Sequence, residues 1–124
     1  MRLTKMRYLS SEHEEQAVVV QYLRLKKIPH YAVPNGSFLA GDKIRRVKQM
    51  ARLKKEGVNT GVPDLVVLLP KMALYIEMKR INGSTTSKEQ KEWIEILNAL
   101  PYCEARICKG AKAAIDFIEE SGRS

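Results

Sequence analysis

At 124 residues, with 44% hydrophobic and 29% charged side chains, the chain has the makeup of one soluble globular domain, with room for one core and not two. Its 22 Lys and Arg against 14 Asp and Glu leave a formal charge of +8, a balance that favours a polyanionic partner, nucleic acid first. No segment approaches a membrane span, no basic amphipathic helix has an aromatic edge, and the short basic stretch Met1–Leu9 lacks the apolar run of a signal peptide, so an intracellular, cytoplasmic place is expected.

Along the chain, a helix is predicted over about Glu12–Lys26, opened by Ser11 as N-cap with Glu14 three residues on and striped by Val19, Val20 and Leu23. A strand (His30–Val33) and a Pro-Asn-Gly loop follow, then a helix over Lys43–Lys55 with Ile44, Val47 and Ala51 as its apolar positions. Leu65–Leu69 is too apolar and β-branched for a surface loop; Pro70-Lys71 punctuates it and Ala73–Lys79 returns, which predicts a hairpin. Next comes a helix over Lys88–Leu100, with Ser87 and Gln90 at capping-box spacing and Trp93, Leu97 and Leu100 inward. A strand over Tyr102–Ile107, a helix over Ala111–Glu119 carried by Ala114, Ile115 and Ile118, and a frayed tail complete the order. Cys103 and Cys108, five apart on one strand, are too distant for a local disulfide and cannot form a zinc site with the scattered His13 and His30. Reduced, partly buried thiols are expected. The mixed order of elements predicts an α/β sandwich with a small mixed sheet, flanked by helices.

The hairpin carries the chemistry. With Pro70-Lys71 as a two-residue loop, Leu69 faces Met72 and Asp64 falls opposite Glu77; a three-residue loop would shift the pairing by one position. Directly opposed residues on neighbouring strands have Cβ atoms about 4.5–5.5 Å apart, and two carboxylates at that distance repel unless something positive sits between them. Side chains alternate along a strand, so Lys79 shares the face of Glu77. Two acids and a lysine converging at one end of a hairpin predict a divalent-metal site with a cationic neighbour, against the plainer alternative of a solvated strand face and an Asp64 that caps a turn.

Pro63-Asp64, a hydrophobic strand and then Glu77-Met78-Lys79 resemble the PD-(D/E)xK nuclease signature. Together with Ser11-Glu12-His13-Glu14-Glu15-Gln16 opening a helix, Asn35-Gly36 in a loop and Gly61-Val62-Pro63-Asp64, the chain resembles one branch of that superfamily, the VRR-NUC domain, over about residues 10 to 120. It departs from the branch at the Val-Arg-Arg element: the corresponding segment is Ala105-Arg106-Ile107-Cys108-Lys109-Gly110, with Lys109 where an arginine would stand. The resemblance implies a restriction-endonuclease-like αβββαβ core with one helix inserted before the hairpin, in a single nuclease domain spanning 1–124. It further implies a homodimeric endonuclease of phage type, cutting branched DNA such as Holliday junctions.

Hydrolysis of a phosphodiester needs a generated hydroxide and neutralised charge on the phosphate, which Mg²⁺ or Mn²⁺ bound through oxygen ligands supplies. Asp64 and Glu77 are the expected inner ligands, and the resemblance adds the backbone carbonyl of Met78. Lys79 would orient or deprotonate the attacking water, or stabilise the phosphorane charge. The family's third acid comes from the first helix. Glu12, on the face of Gln16, Val19 and Leu23, is the choice, acting directly or through water, with Gln16 in support. Glu14 is better explained as the capping partner of Ser11, and Glu15 points further round; helix-dipole complementation explains any one of the three equally well. Gln90 is open between support of the site and its cap, and Asn35 between a tight turn and a loop riding on DNA. The helix with Lys43, Arg45, Arg46, Lys48, Arg52, Lys54 and Lys55 has too dense a run of one sign for local pairing, and is expected to contact phosphates, which position a duplex without reading bases. Lys109 joins that surface. The rival readings are a non-catalytic nucleic-acid-binding module and a basic RNA-binding protein. No small-molecule cofactor is expected.

Overall fold

The computed structural model describes residues 10–34 and 41–123; Met1–Leu9 and the predicted DNA contact Asn35 lie outside the described residues. Four helices and four strands follow one another as α1 (Glu12–Leu25), β1 (His30–Ala32), α2 (Lys43–Lys55), β2 (Leu65–Leu69), β3 (Met72–Lys79), α3 (Lys88–Asn98), β4 (Cys103–Lys109) and α4 (Ala111–Gly122). Both predicted capping boxes form, Ser11 with Glu14 and Ser87 with Gln90, each satisfying two backbone N–H groups that a helix start would leave without partners.

β2 and β3 meet through the two-residue Pro70-Lys71 turn with Leu69 opposite Met72 and Leu65 opposite Ile76. One step beyond that ladder brings Asp64 opposite Glu77. β1 adds antiparallel to the free edge of β2, and the Val33 amide extends this pairing to the carbonyl of Asp64 (2.8 Å). After α3, β4 returns parallel to β3, from Ala73 beside Cys103 to Lys79 beside Lys109. The result is the expected small mixed sheet, in the order β1-β2-β3-β4.

Strand alternation sorts β3 into two faces. Leu74, Ile76 and Met78 enter the core with Val19 and Leu23 of α1, Leu65 and Val67 of β2, and Ala114, Phe117 and Ile118 of α4. Each large side chain removed from water there contributes about 1.5–3 kcal/mol. Tyr75, Glu77 and Lys79 face the other way, toward α3, whose Asn98 brackets β4 by accepting from the Ala105 amide (2.7 Å) and donating to its carbonyl (2.9 Å). Cys103 is a half-buried and Cys108 a buried free thiol, and burial pushes Cys108 up to about 11.

Three expectations are corrected. α2 is not a core helix: among the described residues none of its side chains is buried, and Ile44 and Val47 are 70% and 60% exposed. Its ends are capped, Asp42 accepting from the Arg45 amide (2.9 Å) and Gly57 turning the chain at φ +99°, and Gln49, Met50 and Leu53 are half-buried. Leu100 lies past the end of α3 and is exposed. Tyr102 stands outside β4 with a left-handed φ of +64°, so the strand begins at Cys103 and runs to Lys109.

Candidate metal centre

The site forms at the end of the sheet where β2 begins and β3 finishes. Pro63 is fully buried ahead of Asp64, and Asp64 Oδ2 accepts a hydrogen bond from the Met78 amide across the hairpin (3.0 Å). Glu77 projects beside it, and Glu12 arrives from the first turn of α1. One carboxylate oxygen from each of Glu12, Asp64 and Glu77 lies within 4.8 Å of the other two. Within an extended residue the N–H and C=O project to the same side of the strand. The Met78 carbonyl therefore shares the side of its amide, toward Asp64, while the next carbonyl, of Lys79, accepts from Gly110 on the opposite side (2.8 Å).

Asp64, Glu77 and Lys79 are only 9%, 3% and 7% exposed. Buried ionisable groups are costly unless paired, and the pairing here is incomplete. Glu77 Oε2 accepts from Gln90 Nε2 (3.0 Å) and lies 3.8 Å from Lys79 Nζ, which itself donates to Gln90 Oε1 (3.0 Å). Among the described residues no N–H or hydroxyl donor reaches the buried Glu77 Oε1, and the Glu77 and Asp64 carboxyls lie close enough to share a proton. Burial, reinforced by the negative charge of Asp64, pushes Glu77 up to about 8; burial also raises Asp64, against the hydrogen bonds it accepts and the charge of Lys79, and raises Glu12, reinforced by the charge of Asp64 and opposed by Lys79 and Arg80. Three crowded carboxylates held above their ordinary range and a buried oxygen without a donor fit a hard divalent cation, which takes oxygen ligands and offsets the repulsion.

Gln90 makes the hydrogen bonds of its cap and also reaches the site. Its Oε1 also accepts from the Ser87 amide (3.0 Å), so the capping box of α3 holds the same amide group that bridges Glu77 and Lys79. Gln16 is half-buried on α1, one turn after Glu12. Lys43, Arg45, Arg46 and Lys48 are all exposed, and none enters the ion pairs formed among the described residues. Lys109 is exposed at the end of β4, in register with Lys79 and therefore at the rim of the site. Two residues escape sequence reasoning. Arg80, just past β3, lies close enough to Glu12 to oppose its rise in pKa. Glu15, assigned to no partner from the sequence, accepts from the Ala111 amide at the start of α4 (2.7 Å), a contact across 96 positions that no local signal announces.

Gly61 joins the approach to Asp64 onto α3. It has φ +85°, and a Cβ there would lie 2.7 Å from the backbone carbon of Glu89, next to Gln90. Gly61→Ala is therefore expected to destabilise the protein by about 1–3 kcal/mol and to weaken metal uptake by displacing Gln90. Urea unfolding and a metal titration on the same preparation check both.

Fold and site together define an α/β domain with a carboxylate cluster able to hold a metal ion, beside a buried lysine. The VRR-NUC domain model matches residues 10–112, and a solved structure described as a VRR_NUC domain protein superposes with a TM-score of 0.72 at 26% identity, covering 92% of this chain and 89% of that one. No curated protein matches the chain. The chain belongs to the VRR-NUC domain family, a family of nucleases. Among the described residues, no helix is long and apolar enough to cross a membrane.

Proposed function

We propose that this protein is a Mg²⁺- or Mn²⁺-dependent endonuclease that hydrolyses DNA phosphodiester bonds, favours branched DNA and acts as a homodimer in the cytoplasm. The observation that carries the reading is the convergence of Glu12, Asp64 and Glu77, from three separate stretches of the chain, around a buried Glu77 oxygen that no N–H or hydroxyl donor reaches among the described residues. Asp64, Glu77, Glu12 and the Met78 carbonyl would hold the ion, which supplies charge neutralisation on the phosphate and an acidified water. The rest belongs to the chain. Gln90 fixes Lys79 through one of its three N–H donors, leaving the others to orient the attacking water or meet a phosphate oxygen. The exposed cations of α2, with Lys109 at the rim, supply backbone contacts that position the strand without reading sequence. Contacts to the phosphate backbone carry no sequence information, which supports selection by DNA structure over selection by sequence. A symmetric four-way junction presents two equivalent strands, which a two-fold pair of sites would match.

The test is cleavage of a labelled four-way junction and its matching linear duplex with Mg²⁺, Mn²⁺ or EDTA, beside a light-scattering mass. Metal-dependent cutting, faster on the junction, by a particle of twice the chain mass is expected. Binding without cutting under any metal would leave a DNA-binding module. Tight metal-free binding of RNA over DNA would favour an RNA-binding protein.

A further inference from the structure

We propose that Glu15 is a positioning residue for the metal centre, its carboxylate fastening the first turn of α1 to the start of α4 and so setting the place of Glu12. The proposal rests on the metal-dependent reading above. Helix ends fray, yet Glu12 enters the carboxylate cluster from the first residue of α1. The Ser11–Glu14 capping box closes that turn on itself, and its place relative to the sheet needs a contact from outside α1.

Glu15 stands three positions after Glu12, on the same turn. Its Oε1 accepts from the Ala111 amide at 2.7 Å, a short, charge-assisted bond at the positive end of a helix. α4 needs this partner from outside, because its N-cap is Gly110, which has no side chain to offer its first-turn amides. Gly110 is itself tied to the site, since its amide donates to the Lys79 carbonyl at 2.8 Å. The connection therefore runs from Lys79 through Gly110 and Ala111 to Glu15, and along one helical turn back to Glu12. The close approach depends on the glycine. Gly110 has φ +89°, and a Cβ there would lie 2.9 Å from Ile81 Cγ1 and 3.5 Å from Glu15 Oε1. A second bond between the same helices, Tyr22 Oη to Glu119 Oε2 at 3.0 Å, lies nearly two turns further along α1 and serves as a control for helix docking in general.

The experiment is Mn²⁺ binding by calorimetry on the full chain, with folding of every variant verified by circular dichroism at the same temperature. Glu15→Ala is expected to weaken binding about tenfold, the scale on which groups behind a metal ligand act. Glu15→Gln keeps an oxygen for the Ala111 amide and should stay within about threefold of wild type; Glu15→Asp keeps the charge but not the reach, and should lose affinity if the alanine variant does not fold. Tyr22→Phe should lower thermal stability and leave Mn²⁺ binding unchanged. In a Glu12→Gln background, Glu15→Ala should have no further effect on binding, because it acts through Glu12. Equal losses in both backgrounds, a Tyr22→Phe loss as large as that of Glu15→Ala, or wild-type affinity in both Glu15→Ala and Glu15→Asp would overturn the proposal and leave the nuclease reading standing. A wild-type protein that takes up no Mn²⁺ would overturn both.

Discussion

Asp64→Asn is expected to remove metal-dependent cleavage, by about 10²-fold or more, while leaving the fold intact; that fall is the scale of losing one preorganised electrostatic group at a reacting centre. The substitution removes a negative charge from the cluster but little else. The asparagine oxygen can still accept from the Met78 amide that now bonds Asp64 Oδ2, and Val33 still pairs with the backbone carbonyl of residue 64. Because burial already raises Asp64, a neutral side chain of the same shape costs the metal-free protein nothing in desolvation. Lys79→Ala should bring a fall of similar size for a different reason. It takes away the ammonium that Gln90 fixes beside Glu77 without removing an oxygen ligand, so Mn²⁺ binding should survive. Cleavage rates, with calorimetric Mn²⁺ binding for each variant, separate the two. Cleavage by Asp64→Asn at the wild-type rate would sink the assignment of the metal centre.

The second large effect concerns pH. Folded Glu77 titrates at about 8 against 4.5 for a free glutamate, so between those values the native protein holds a proton that the unfolded chain releases. Stability then falls as pH rises through that window and levels off above about 8, the sign expected when the native state binds more protons. Removing the titration by Glu77→Gln should flatten this fall and make the metal-free variant the more stable of the two at pH 8. Thermal unfolding of both proteins in EDTA from pH 4.5 to 9 measures the difference, and parallel curves would contradict it. The same proton competes with a cation, so Mn²⁺ uptake near pH 7 should release a proton and tighten as pH rises to about 8. Calorimetry in buffers of different ionisation enthalpy counts that proton.

What was legible in the sequence was what short-range geometry determines. A two-residue turn at Pro70-Lys71 permits one register, and that register places Asp64 opposite Glu77 without reference to any distant contact. Ser11 with Glu14 and Ser87 with Gln90 are capping pairs three residues apart, closed within a single helical turn. Strand alternation likewise separates Leu74, Ile76 and Met78 from Glu77 and Lys79. The α2 stripe misled because periodicity reports which residues share a face, and not whether another element covers it. Ile44 and Val47 do share a face, and it is exposed.

Only the tertiary structure decided the partners that separate elements bring together. Of the three acids in the first turn of α1, Glu14 is accounted for by its local cap, whereas helix-dipole complementation explains Glu12 and Glu15 equally well in sequence; the packing of α1 brings Glu12 to the carboxylate cluster and Glu15 to the Ala111 amide. Gln90 could be recognised as a cap, but its bonds to Glu77 and Lys79 required α3, packed on β4, to bring its first turn beside the end of β3. By itself the sequence determined the hairpin register, the capping pairs and the basic character of the chain, because these depend on covalent spacing and side-chain chemistry alone. The third acid, the bridging glutamine and the exposure of α2 depended on how helices settle on a finished sheet, where contacts across tens of residues choose among side chains that local rules leave equal.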